Sequence, residues 1–383
     1  MNRDSPDLSR RLKTHGWGDS CFEHSLALLG LSEEHDMSEI LAPAESDEKC
    51  FSENRRLILT IAVPTYNRST KLALLLRNLA PQVTDEPRVE LIVSDNCSLD
   101  DTPAIVESFV EAGLRCRYIR NQENIGPDGN FLQCYGMASG KYLWVFSDDD
   151  VILPGTVDTI LRLIGERDFD FVVMRPLGFM RDPAERGQIN PAPKTKVFLD
   201  ASAFVHAVGL NGDFALISSV IVNKQRVETV AHREFAEARN TNLIQLAWVF
   251  TALNNFQRGL FIQRGLYAVC EENPSRQFDV ARVFGVNWHK VSSLFLDPGS
   301  DLHNAVLNDQ LYSWFPTYWY SLSKSARLTE TAPPHTLMHP LYGSRLLYWF
   351  CVYPLLTFPR LLAGGWLAVL RGIRKIDRAW HAP

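Results

Sequence analysis

Residues 142–150 read YLWVFSDDD, an apolar run that ends on three consecutive aspartates. YLWVF has the length and character of a buried strand. Adjacent carboxylates repel, and two unit charges ~4 Å apart cost roughly 4 kcal/mol at an effective dielectric of 20. Folding alone gives no reason to place them together. The stretch therefore predicts a strand that ends where positive charge must be supplied.

The flanking segments place that strand in a repeating pattern. LILTIAV (57–63) is a β-rich run that stops at Pro64, and a helical pattern begins at Ser69 or Thr70, with Leu72, Leu75, Leu76 and Leu79 on one face. VELIVS (89–94) is a second strand, and DDTPAIVESFVEAG (100–113) a second helix, with Pro103 near its first turn and Gly113 closing it. RCRYI, a polar N-I-G-P-D-G loop and the helix NFLQCYGMAS follow, then YLWVF. Beyond the aspartates come the helix PGTVDTILRLIGE and the strand FDFVVM. Strands alternating with helices through short loops indicate an α/β fold with a mainly parallel sheet. Ligands bind such sheets at the carboxyl ends of the strands, and here those ends carry P-T-Y-N-R, S-D-N-C-S and S-D-D-D.

Each cluster has a chemical reading and a plainer one. Asp148, Asp149 and Asp150 are hard oxygen donors suited to Mg²⁺ or Mn²⁺, whose shell phosphate oxygens complete; the plain reading is an acidic surface turn or a cap for the helix near Pro154. Asp95 can accept from a base N–H or a ribose hydroxyl, against an Asx-turn role that Asp100 or Asp101 fills better. Pro64 fixes the backbone where Thr65 and Tyr66 reach a base or ribose, and Arg68 suits a phosphate.

Four segments, LTIAVPTYNRSTKLALLLRNL, VELIVSDNCSLDDT, NQENIGPDGNF and GKYLWVFSDDDVILPGTV, in this order and spacing, resemble the nucleotide-sugar half of a family 2 glycosyltransferase of GT-A fold. The likeness covers about residues 57–175. It implies that Pro64, Thr65, Tyr66 and Asp95 hold the nucleoside, and that Asn124 and Gly126 sit in the loop over the donor. It implies further that Asp148 approaches the ribose or sugar, while Asp149 or Asp150 binds the metal bridging the diphosphate. The implied donor is a UDP sugar, with CDP, dTDP and GDP sugars as alternatives. The sequence departs from the family in two places. Ser147 stands where the D-x-D-D pattern often begins with an acid, so the choice of metal ligand stays open among the three aspartates. The Glu-Asp pair that often supplies the base is absent from FAEARNTNLIQLAW (235–248). An inverting transfer needs a carboxylate to take the acceptor's proton; Asp213 is the first candidate and Glu237 the second. The rival readings are a silent nucleotide-sugar-binding or scaffold relative and a sugar nucleotidyltransferase. The latter would show a Gly-rich basic loop after the first strand.

Four regions are expected: a polar, partly disordered extension (1–56), the nucleotide-sugar domain (57–225), a helical acceptor-side region (226–340) and a hydrophobic, basic tail (341–383). At 383 residues, more than one core is expected. A net charge of −5 excludes a generally basic nucleic-acid binder. Seven scattered cysteines without C-x-x-C fit reduced thiols in a cytosol. The N-terminal MNRDSPDLSRRLKTHGWGD lacks the apolar core of a secretory signal. His206, His232 and His289 have no partner at metal-ligand spacing, and YSWFPTYWY (312–320) reads first as core. LLYWFCVYPLLTFPRLLAGGWLAVL (346–370) has the length of a membrane span, yet Pro354, Pro359 and Arg360 sit in its middle. With Arg371, Arg374, Lys375 and Arg378 behind it, a re-entrant hairpin or interfacial helices on the cytoplasmic face fit better.

Overall fold

The structure, a computed structural model, describes residues 57–179, 194–208, 215–228, 235–263, 265–270, 279–322 and 332–380. The 1–56 extension, Asp213 and His232 lie outside the described residues. The chain divides into two units, the first built from residues up to 168 with 174–195 and 262–272, the second from 169–173, 196–261 and 273 onward.

In the first unit, β1 (Leu59–Thr65), β2 (Val89–Asp95), β3 (Arg117–Arg120) and β4 (Tyr142–Val145) run in the order β3-β2-β1-β4. All three pairings are parallel. The register sets Thr65 beside Asp95, so the polar clusters after β1 and β2 begin level with one another. Pro64 costs the ladder nothing. Ala62 and Pro64 face β4, as the Phe146 N–H bond to the Ala62 carbonyl at 2.8 Å indicates, and that pairing ends at Ala62–Val145. β4 can lie this close to β1 because Gly140 precedes it: a Cβ there would stand 2.7 Å from the Thr60 nitrogen.

The helices cover this sheet with the residues their periodicity assigns. Helix α1 (Ser69–Val83) buries Leu72, Leu75, Leu76 and Leu79, and α2 (Thr102–Glu111) ends at Gly113 with φ 101°. Helix α3 spans Gly126–Met137 and starts four residues earlier than NFLQCYGMAS predicts. Gly126 (φ 76°) turns the chain and Pro127 fits the first helical turn, so residues that look like a loop begin a helix. Helix α4 (Thr156–Glu166) follows the acidic turn and buries Val157, Ile160, Leu161 and Ile164. Trp144 and Phe146 meet edge to face at 4.9 Å and, both fully buried, fix the end of β4.

The second unit departs further from the sequence pattern. Within LISSVIV only Val220–Asn223 is a strand, preceded by a single 3₁₀ turn, Ile217–Ser219, and it pairs antiparallel with Phe171–Val173. Gly259–Ile262 and, in the first unit, Tyr267–Cys270 are strands inside the stretch read as helical; four-residue apolar runs carry no usable period. Helix Gln245–Asn254 is buried from Gln245 to Leu253. In YSWFPTYWY, Phe315 and Trp319 are buried and Trp314 stacks on Tyr318 at 4.4 Å, which is core packing. His206 is exposed, and half-buried His289 lies edge-on to Tyr342. The tail forms a short helix, Tyr353–Thr357, and then the 21-residue helix Arg360–Trp380. Arg360 thus opens a helix instead of interrupting one. No helix among the described residues is long and apolar enough to cross a membrane.

Candidate active site

The carboxyl ends of β1, β2 and β4 carry polar loops tied together by hydrogen bonds. Asn67 adopts a left-handed conformation (φ 51°), its N–H donates to Ser98 Oγ at 2.9 Å, and its Oδ1 accepts from Leu99 N–H at 2.7 Å. Cys97 is also left-handed (φ 68°). The first amide of α1, Ser69 N–H, is capped from the second loop by Asp100 Oδ2 at 2.8 Å. Burial would raise the Asp100 carboxyl, but hydrogen bonds from Thr102 and Ser69 outweigh it and hold it below the usual value.

The three aspartates are all buried. Thr65 Oγ1 donates to Asp148 Oδ2 at 2.8 Å, and Arg68 Nη1 binds Asp148 Oδ1, also at 2.8 Å. Arg68 Nη1 and Lys71 Nζ each stand 3.6 Å from Asp149 Oδ2, while Ser147 Oγ donates to Asp149 Oδ1. Part of the positive charge that YLWVFSDDD demands therefore comes from the first turn of α1. Arg68 and Lys71 thus both lie against this group of carboxylates. Burial pushes the Asp148 carboxyl up, and the pull of Arg68 only partly offsets it. On Arg68 the balance runs the other way: burial lowers its pKa, and the three aspartates together raise it above the ordinary value.

Asp95 is fully buried. Its Oδ1 accepts from Ser98 N–H at 2.8 Å and its Oδ2 from the Tyr118 hydroxyl at 2.7 Å, with Arg120 Nε 3.6 Å away. Burial and the bond to Asp95 push the Tyr118 phenol up. Asp95 thus forms the floor of the site and presents Tyr118 and Arg120. Asn96 organises the loop that leads into α3: its Nδ2 donates to Asn124 Oδ1 at 2.8 Å and its Oδ1 accepts from Ile125 N–H at 2.9 Å. Asn124 Oδ1 also accepts from Gly126 N–H. Tyr66 is exposed at the rim.

The structure therefore brings together Pro64, Thr65, Tyr66, Arg68, Asp95, Asn124, Gly126 and the three aspartates. Glu237 belongs to the second unit, exposed on the 3₁₀ turn Ala236–Ala238. Sequence reasoning missed Lys71, Asn96 and Tyr118. For Lys71 a signal was present, since it lies three residues after Arg68 and so on the same helix face.

Among the described residues no three His, Cys, Asp or Glu side chains are grouped to hold a metal ion. Asp149 and Asp150 nonetheless offer a donor set of the right class. Mg²⁺ and Mn²⁺ take one or two carboxylates and complete their shell with water and phosphate oxygens. The opposite, amino end of the same strands holds a recess of ≈ 670 Å³ lined by Ile58, Arg88, Lys141, Tyr142 and Asp168, whose charges are paired in place, Arg88 with Glu86 and Lys141 with Asp168.

Residues 60–224 match the model of the family described as Glycosyl transferase family 2. The chain carries a family 2 glycosyl transferase domain. The matched segment contains every site residue above except Glu237. Similar proteins include abequosyltransferase RfbV of Salmonella typhimurium, 27% identical over 184 residues, which are 45% of this chain and 55% of that protein. The GalNAc(5)-diNAcBac-PP-undecaprenol beta-1,3-glucosyltransferase of Campylobacter jejuni is 34% identical over 109 residues, 28% of this chain and 35% of that protein. The chain thus spans about half or less of the length of these curated relatives. In fold, it is similar to S. aureus TarS 1-349, with a TM-score of 0.55 at 17% identity over 83% of this chain and 91% of that chain. The same TarS fragment in complex with UDP-GlcNAc gives 0.54 at 17% identity, over 83% and 92%. The fold is GT-A, with a mainly parallel sheet and a helical C-terminal region.

Proposed function

We propose that this protein transfers one sugar from a nucleotide-diphosphate sugar to a lipid-linked saccharide acceptor, with inversion, at the cytoplasmic face of a membrane. One observation carries the reading: a family 2 domain buries three carboxylates at the joined ends of β1 and β4, with Arg68 and Lys71 against them. A divalent cation accompanying the donor's diphosphate suits such a group of carboxylates. UDP is the expected nucleotide, because the similar TarS structure holds UDP-GlcNAc. The lipid-linked acceptor follows the undecaprenol-linked substrate in the Campylobacter relative's name.

In this reading Thr65, Tyr66, Tyr118 and Arg120 surround the nucleoside over the Asp95 floor. Asn124 and Gly126 close one side, and Asp148, oriented by Thr65 and Arg68, faces the ribose or sugar. Arg68 and Lys71, next to the diphosphate position, exchange part of their contact with the aspartates for phosphate oxygens. A divalent cation held by Asp149 and Asp150 would supply Lewis-acid charge for the departing diphosphate. In the transfer, the acceptor oxygen bonds to the anomeric carbon as that carbon's bond to the diphosphate oxygen breaks. The electron pair leaves with the diphosphate, and the hydroxyl proton passes to a carboxylate of the acceptor side, Asp213 or Glu237.

A thermal-shift series with UDP, CDP, dTDP and GDP, with and without Mn²⁺, tests the donor half. UDP with Mn²⁺ is expected to stabilise most. Stabilisation indifferent to the metal removes the role given to Asp149 and Asp150, and stabilisation by none of the four removes the donor reading. Glu237→Gln and Asp213→Asn then discriminate the base by turnover at unchanged UDP affinity.

A further inference from the structure

The helix Arg360–Trp380 carries large apolar residues on two faces and buries only one of them. It buries Ala363, Leu367, Leu370 and the guanidinium-bearing Arg374, and it exposes Leu361, Leu362, Val369 and Ile373. Leu361 is 91% exposed and Leu362 62%, whereas Arg374 is 7% exposed. The orientation is held from below. Arg374 Nη1 donates to the Ser313 carbonyl at 3.1 Å and to Thr317 Oγ1 at 3.0 Å, with its guanidinium 5.3 Å over the Tyr312 ring. Gly364 lets the helix lie against Tyr320, where a Cβ would come within 2.4 Å of the hydroxyl. The helix therefore cannot roll to hide its leucines without extracting a buried arginine.

At about 100° per residue, Leu361, Leu362, Val369 and Ile373 fall within a single sector roughly 120° wide. Exposed Arg371 and Lys375 flank it on one side, with Arg360 at its start. Leu346, Trp349, Phe350 and Phe358, from the turns before the helix, are exposed as well. Residues 343–375 contain no aspartate or glutamate. An apolar stripe beside an all-cationic border is the surface that settles at the headgroup boundary of an anionic bilayer.

We propose that this stripe docks the protein on an anionic lipid bilayer, lying in the interface plane, with Leu361, Leu362, Val369 and Ile373 in the acyl boundary and Arg360, Arg371 and Lys375 on the headgroups. A protein partner for such a border would need acidic groups, and a second copy of this face brings only cations. The inference deepens the proposed membrane location and rests on it for its purpose, but the binding itself does not require the transfer chemistry.

The test is co-sedimentation of the full chain with vesicles of phosphatidylcholine alone or mixed with phosphatidylglycerol, while Trp fluorescence is followed. Binding to the mixed vesicles is expected to be about tenfold tighter and to weaken with salt. Leu361→Glu/Leu362→Glu should lose binding about tenfold or more on mixed vesicles, and Arg371→Glu/Lys375→Glu should abolish the preference for phosphatidylglycerol. Both pairs are exposed, and unchanged melting temperatures verify their folding. Equal binding of wild type and the leucine variant overturns the proposal. So does a wild-type dimer, by light scattering, that the leucine variant makes monomeric while neither binds vesicles. UDP-dependent thermal shifts of the same variants separate the two readings: vesicle binding without any nucleotide shift rejects only the donor assignment, and the reverse rejects only the docking surface.

Discussion

The acidic turn after β4 and the helix Arg360–Trp380 break the same rule in opposite directions. The turn takes three carboxylates out of water, and the helix leaves four large aliphatic side chains in it. Neither arrangement favours folding, since taking charge out of water is costly and exposed leucine forgoes its transfer energy. The amino end of β1 and β4 shows the ordinary solution, with its charges paired one to one at the surface. Residues retained against stability point to an interaction outside the folded chain, and their substitution should separate stability from function.

The largest separation is expected at Asp149. Asp149→Ala should lower sugar transfer or donor hydrolysis at least ~100-fold, while urea unfolding changes by less than about 1 kcal/mol because removing one carboxylate also removes its repulsion of Asp148. A clear loss of stability would make Asp149 a structural residue and break the comparison. Arg68→Ala comes next. It leaves Asp148 buried with its main cation gone, at about 2–3 kcal/mol near neutral pH. Asp148 already titrates above its ordinary value, so its ionised form is a burden that grows as pH rises through the folded pKa. The gap between variant and wild type should therefore narrow as pH is lowered through the carboxylate range.

Gly140→Ala tests the opposite case, stability without function. Its Cβ meets the backbone of β1, and about 2 kcal/mol should be lost, with UDP affinity per folded molecule unchanged. The smallest effect belongs to Asp100→Ala, about 1 kcal/mol from the lost cap on α1. The Asp100 carboxyl is held below its ordinary value, so this contribution is present above that value and disappears as pH falls through the lower folded pKa.

The first unit was legible because its strands and helices carry clean periods, and strand direction alone sends three polar clusters to one edge. The cluster's internal chemistry was less so. That Tyr118 would cover Asp95 depends on which strand pairs beside β2, which no local pattern encodes, whereas Lys71 could be read from its place one turn after Arg68. Between residues 226 and 340, GLFI and YAVC were too short to separate from helix. The C-terminal helix was recognisable as apolar and basic, but its sequence offers leucines on two faces. Only the packing of Arg374 and Gly364 decides which face is hidden.

The clasp between the first two loops has a kinetic consequence. The amides of Asn67, Ser69 and Leu99 all donate across it, to Ser98, Asp100 and Asn67. Opening the clasp frees all three amides together, so their exchange should be slowed by one shared protection factor, set by joint opening. A ligand held between the loops would raise that factor equally at every one of these positions.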